Sequence, residues 1–118
     1  LLGISGILNR SDSCAEAPKD VRHVHGRADN VLDFPFGPGR DTTYPVKLWR
    51  DAMACSDVAT APLDWSVVEF LTLTRTTWAE CTGGTRVTLD IHPGGHFIPH
   101  GWIGRQLDEL LDRTPTYP

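Results

Sequence analysis

The fold class expected of this 118-residue chain is α/β, with mainly parallel strands flanked by helices and one antiparallel hairpin. Three observations carry that expectation. Two short apolar runs show little alternation, as strands covered on both faces do. Two amphipathic helical stretches interleave with strand-like segments in the order strand, helix, strand, helix. A paired-glycine turn joins the last two strand candidates.

The first run, Leu1 to Leu8, is too short to cross a bilayer, and no basic region or small-residue cleavage site precedes it. It reads as a buried strand. Val21 to His25 is the second strand. The segment from Asp33 to Pro45 is rich in Pro and Gly and reads as a loop. Thr42 and Thr43 then precede Pro45, and Val46, Trp49 and Met53 share one face, which gives a capped start, a first-turn proline and a 3.6-residue period. A further strand is expected from Val67 to about Arg75, and the last from Arg86 to Ile91, where Val87, Leu89 and Ile91 alternate with polar neighbours. Thr82-Gly83-Gly84-Thr85 supplies the turn between them, because glycine accepts the positive φ of tight turns. A terminal helix follows, with Ile103, Leu107, Leu110 and Leu111 on one stripe that is expected to pack on the sheet.

The length allows one folding unit over residues 1–118, and 40% apolar content supports a modest core. Net charge is −4, and the nine Arg and two Lys are scattered. A nucleic-acid binder would cluster them, so no nucleic-acid partner is expected. No membrane partner is expected either. The chain opens at once into an apolar strand, and an amino-terminal half carrying further strands is expected upstream of it.

Chemistry concentrates at two stations. Open α/β sheets bind ligands beyond the carboxyl ends of their strands. Asp29 lies in such a loop, four residues after His25, in His25-Gly26-Arg27-Ala28-Asp29. His96 follows Pro93-Gly94-Gly95 after the last strand. A neutral histidine is a good general base near pH 7, provided that a carboxylate orients its other ring nitrogen. Asp29 and His96 form that pair on paper. His92, His96 and His100 recur every four residues, a spacing that stacks metal ligands on a helix, but Pro93, Gly94, Gly95 and Pro99 oppose a helix there. Neither metal nor cofactor is therefore expected. His23 and His25 read as core or strand-end residues.

These two stations resemble a family of extracellular α/β-hydrolase esterases, the polyhydroxybutyrate depolymerases and feruloyl or acetylxylan esterases. Val24-His25-Gly26-Arg27-Ala28-Asp29-Asn30-Val31 is similar to the segment whose Asp is the triad acid. Gly94-Gly95-His96-Phe97-Ile98-Pro99 is similar to the segment whose His is the triad base; Pro99 agrees with it, and Ile98 stands where an aromatic is common. The likeness extends through Leu48-Trp49-Arg50, Trp78 to Cys81 and the terminal helix. It implies the carboxyl-terminal part of an α/β-hydrolase catalytic domain, a serine carboxylic-ester hydrolase acting on polyester or plant cell-wall esters, and a secreted or periplasmic location. It also implies that Cys55 and Cys81 form a disulfide. Cys14 is then left to pair with a partner in the upstream half.

The nucleophile is missing. Gly3-Ile4-Ser5-Gly6-Ile7 has Ile7 where the elbow's second glycine belongs, and no helix is expected after it, so Ser5 reads as a strand residue. The family order of nucleophile, acid and base places the serine upstream of residue 1. The chain alone is expected to be inactive. Phe34, Phe36 and Trp102 are candidates for an apolar wall against substrate. A different reading makes the chain a non-catalytic carbohydrate- or partner-binding module, with Trp49, Trp65, Trp78 and Trp102 as an exposed aromatic surface.

Overall fold

The computed structural model describes residues 1–4, 19–28, 44–68 and 71–114. Its elements in chain order are β1 (Leu2–Ile4), β2 (Asp20–Gly26), α1 (Tyr44–Ala52), β3 (Leu63–Val68), β4 (Leu71–Trp78), β5 (Arg86–His92) and α2 (Trp102–Leu110), with a single 3-10 turn at Thr82–Gly84. The strands form one sheet in the order β1-β2-β5-β4-β3. β1, β2 and β5 run parallel, and β4 and β3 continue the sheet antiparallel. The result is a mixed α/β sheet with a helix against each face.

Registers assign the faces. Val21 pairs with Val87 and Trp78 with Val87, so these side chains share one face with Leu89 and Ile91. α1 brings Val46 onto that face, and Met53 just beyond the helix joins the same cluster. Val46 is fully buried, which is the face that the 3.6-residue period marked. The disulfide Cys55–Cys81 ties the segment after α1 to the β4–β5 connection. Two backbone bonds flank it, Thr82 N to Met53 O at 2.9 Å and Ser56 N to Glu80 O at 2.8 Å. Gly83 and Gly84 adopt φ of 71° and 73°, the left-handed conformation for which the paired glycines were expected.

Two expectations change. The strand expected from Val67 to Arg75 is divided: its start is the end of β3, and its remainder lies in β4, which is antiparallel to β3. β3 was not expected as a separate strand, because its end was read as the start of the following one. The second change concerns α2. Its aliphatic stripe does not pack on the sheet: Ile103, Leu107, Leu110 and Leu111 are 38, 44, 39 and 61% exposed. Trp102, Gln106 and Asp108 are buried in their place.

The physical cause lies on the sheet surface beneath α2. Arg22, Thr88 and Asp90 are buried there, and Arg75 is half-buried. Arg75 grips Asp90 with two bonds of 2.8 Å, Nε to Oδ1 and Nη2 to Oδ2. The Trp65 and Trp102 indoles donate to the same carboxylate at 3.2 and 2.8 Å. Arg22 and Arg75 both donate to Gln106 Oε1, at 2.9 and 3.2 Å, and both pair with Glu109. A buried ion left without partners costs several kcal/mol, whereas burying one Leu or Ile side chain gains about 1.5 to 3 kcal/mol. Three strand ions therefore outweigh the stripe. They turn the helix so that its polar face points inward.

Candidate functional site

The pairing of β2 with β5 runs past the sheet and joins the two loops that follow them. Gly26 is in register with His92, Arg27 N then donates to His92 O at 2.8 Å, and Ala28 N donates to Gly94 O at 3.0 Å. Glycine is required at position 26. A Cβ there would overlap the carbonyl oxygens of Gly94 and Gly95 and lie 2.8 Å from His92 Cε1. Gly26 is thus a site of close approach between the two loops. At position 94 a Cβ would overlap the end of the Phe97 ring, which is 43% exposed and would have to turn aside.

His92 organises the second loop. It is buried at the end of β5, its Nδ1 accepts from Gly94 N at 3.1 Å, and its ring lies 4.5 Å from that of Phe97 at a tilt of 48°. His96 is exposed in the loop that this arrangement holds, two residues beyond Gly94. His100 is exposed at the far end of the loop. The segment from Pro93 to Gly101 is not helical, so the three histidines do not stack on a common face.

Asp29 follows directly on Ala28 and lies outside the described residues, as do Phe34, Phe36, Cys14 and Ser5. Trp102, expected at a pocket wall, is fully buried at the start of α2 with its indole nitrogen committed to Asp90. It is a core residue because an indole that donates to a buried carboxylate must be buried with it. The exposed aromatic surface is not formed either: Trp78 and Trp102 are buried and Trp49 and Trp65 are half-buried. Trp65 is covered in part by guanidinium groups, Arg75 at 4.6 Å and Arg105 at 5.4 Å from its ring centre.

His23 and His25 lie side by side in β2, on the face opposite α2. Both are buried, with His23 Nε2 3.2 Å from His25 Nδ1 and the rings stacked 5.5 Å apart. Burial, with a smaller contribution from the neighbouring His25, pushes His23 down to about 3, so it is neutral at ordinary pH. Gly3 of β1 makes room for it, since a Cβ there would be 2.6 Å from His23 Nδ1. This pair holds the strand that leads to Asp29.

The ion network under α2 was not anticipated as a unit. Its signal in the sequence is slight: Arg22 inside an apolar run, and Asp90 between Leu89 and Ile91. Burial alone would lower Arg75, but the Asp90 and Glu109 carboxylates outweigh it and hold its charge more firmly. A cleft of about 380 Å³ opens beside this network, lined by Arg22, Arg75, Arg86 and Arg113 with Thr77, Thr88, Glu109 and Asp112. Asp20 also binds Arg22 and Arg86, and Asp108 binds Arg113, so the basic groups are compensated. A second groove, of about 480 Å³, runs past Arg50 and Trp78. Neither cleft includes Ala28, Gly94 or His96 in its lining. No protein-family model, curated protein or solved structure matches the chain.

Proposed function

We propose that this chain is the acid- and base-bearing part of a serine carboxylic-ester hydrolase with an α/β-hydrolase catalytic domain. The observation that carries the reading is the joining of the two post-strand loops, Ala28 N to Gly94 O at 3.0 Å. It lies one residue before Asp29 and two before His96. Parallel neighbouring strands join the loops that precede the two stations at one end of the sheet, which supports a shared site there, where α/β enzymes do their chemistry. The resemblance of both stations to the esterase family supplies the residue roles. The Cys55–Cys81 disulfide supports a secreted or periplasmic location, since such bridges persist in oxidising compartments. No described helix is long and apolar enough to cross a membrane.

In this reading a serine on a segment upstream of residue 1 attacks the ester carbonyl. His96 takes the hydroxyl proton as the Ser–O–C bond forms. It then returns the proton to the alkoxide as the tetrahedral intermediate collapses. Asp29 holds the imidazole in the tautomer that leaves the reacting nitrogen free to accept, and it stabilises the imidazolium. Water repeats the cycle to release the acid. Oxyanion donors come from the nucleophile-bearing segment, and no metal or cofactor takes part. Phe34 and Phe36, in the segment that follows Asp29, remain candidates for an apolar wall against polyester or plant cell-wall esters.

The acid–base pair is testable on the chain by itself. A histidine ring N–H bonded to a carboxylate exchanges slowly and resonates at low field in proton NMR. The spectrum should contain one such signal, assigned to His96 and abolished by Asp29→Asn. A signal that survives Asp29→Asn would remove Asp29 from the role of acid.

A further inference from the structure

We infer that His92 is the positioning residue of His96: its neutral imidazole, by accepting from Gly94 N, fixes the turn that carries the proposed base. The assignment rests on the reading of His96 as that base. His92 is the last residue of β5 and is 1% exposed. Its ring reaches both loops. Cε1 lies against Gly26, where a Cβ would come within 2.8 Å of it, and Nδ1 accepts from Gly94 N at 3.1 Å.

Gly94 is thereby held twice. Its N–H goes to His92, and its carbonyl oxygen accepts from Ala28 N at 3.0 Å. Phe97 N then donates to Gly95 O at 3.1 Å, which closes a three-residue turn with His96 at its apex. Beyond the apex, the Phe97 ring leans back on the ring of His92, 4.5 Å between centres. Both limbs of the turn are anchored on one imidazole, the incoming limb through a hydrogen bond and the outgoing limb through a ring contact. The direction in which the turn presents His96 therefore depends on where His92 stands.

The chemistry of this place suits histidine. Gly94 is half-buried, so its N–H needs an acceptor from the protein. A neutral imidazole supplies one on a rigid ring whose carbon atoms pack against Phe97, and accepting at Nδ1 places the proton of that ring on Nε2. Leucine is of similar bulk and has no acceptor; asparagine carries an amide oxygen where His92 carries Nδ1. The two histidines thus divide the work: His92, buried and with its accepting nitrogen committed, holds the loop, and His96, exposed at the apex, takes the proton.

NMR on the whole chain tests this. In the wild type, the ring nitrogen shifts of His92 should be those of the Nε2–H tautomer, and the low-field His96 signal should be present. His92→Leu should speed exchange of the Gly94 amide at least about tenfold and abolish the His96 signal, while the amides of β2 and β5 stay protected. His92→Asn, which restores an acceptor, should keep both the Gly94 protection and the His96 signal. An Nδ1–H tautomer in the wild type overturns the assignment without any variant. So does a His96 signal that survives in His92→Leu, or one lost equally in His92→Leu and His92→Asn, which would mark a merely structural residue. A wild type with the Nε2–H tautomer but no low-field His96 signal contradicts the acid–base pair itself, and the role of His92 falls with it.

Discussion

Asp90 has no exposed surface and accepts four hydrogen bonds, two from Arg75 and one each from Trp65 and Trp102. Removing its charge leaves the half-buried Arg75 guanidinium with Glu109 as its remaining carboxylate and strands the Trp65 and Trp102 indole donors. Asp90→Ala should therefore lower stability by about 3 to 5 kcal/mol in urea unfolding, the range found when one partner of a buried ion pair is lost. His23 gives a pH dependence of definite sign. Its folded pKa of about 3 lies below the ordinary value of 6.5, so between those values the unfolded chain takes up a proton that the folded chain refuses. Its stabilising contribution is complete above pH 6.5 and is lost as pH falls toward 3, with a slope approaching about 1.4 kcal/mol per pH unit. Urea midpoints of wild type and His23→Gln, compared between pH 7 and pH 4, isolate this contribution. The wild type should lose more stability across the interval than the variant does. At this scale the sequence was only partly informative. His23 and His25 read as core or strand-end residues, and both are buried in β2, but nothing in an isolated Arg22 announces partners 84 and 87 residues away, and nothing in Asp90 announces partners on β3, β4 and α2.

At the scale of elements, legibility followed the chemistry of the buried face. α1, β2 and β5 each contribute aliphatic side chains to the core, and each was expected within a residue or two of its observed extent. β3 was hidden as a separate strand because its last residues run almost directly into β4, so that the two read as one strand. α2 was expected in place but with the wrong face inward, since the apolar stripe of a helix identifies its buried side only when the surface beneath it is apolar. Here that surface carries Arg22, Arg75 and Asp90. Two expectations follow. Gly104→Ala should raise stability by about 0.8 to 1 kcal/mol, because the site is open and only backbone propensity changes; thermal unfolding at low concentration measures it. Reducing Cys55–Cys81 should lower stability by about 3 kcal/mol, mainly by freeing the unfolded chain. Paired urea titrations with and without reductant give that difference.

For the whole molecule, the decisive feature is that two loops from distant parts of the sequence are bonded, Ala28 to Gly94, at the same end of one sheet. Parallel pairing of β2 with β5 keeps residues 20 to 26 in step with 86 to 92, and the glycines at 26 and 94 let the pairing continue into the loops. The two loops stood out in the sequence as polar segments after strands. Their meeting was not legible there, because it depends on which strands become neighbours. The proposed α/β-hydrolase reading calls for a serine from a further segment, and kinetics can test it. The most direct measurement joins the chain to a segment bearing a Gly-x-Ser-x-Gly elbow and compares kcat/KM for an aryl ester between the assembled wild type and its His96→Ala variant. The proposed role of His96 predicts a fall of at least about a thousandfold, the scale of losing one member of a triad. An unchanged rate would contradict it.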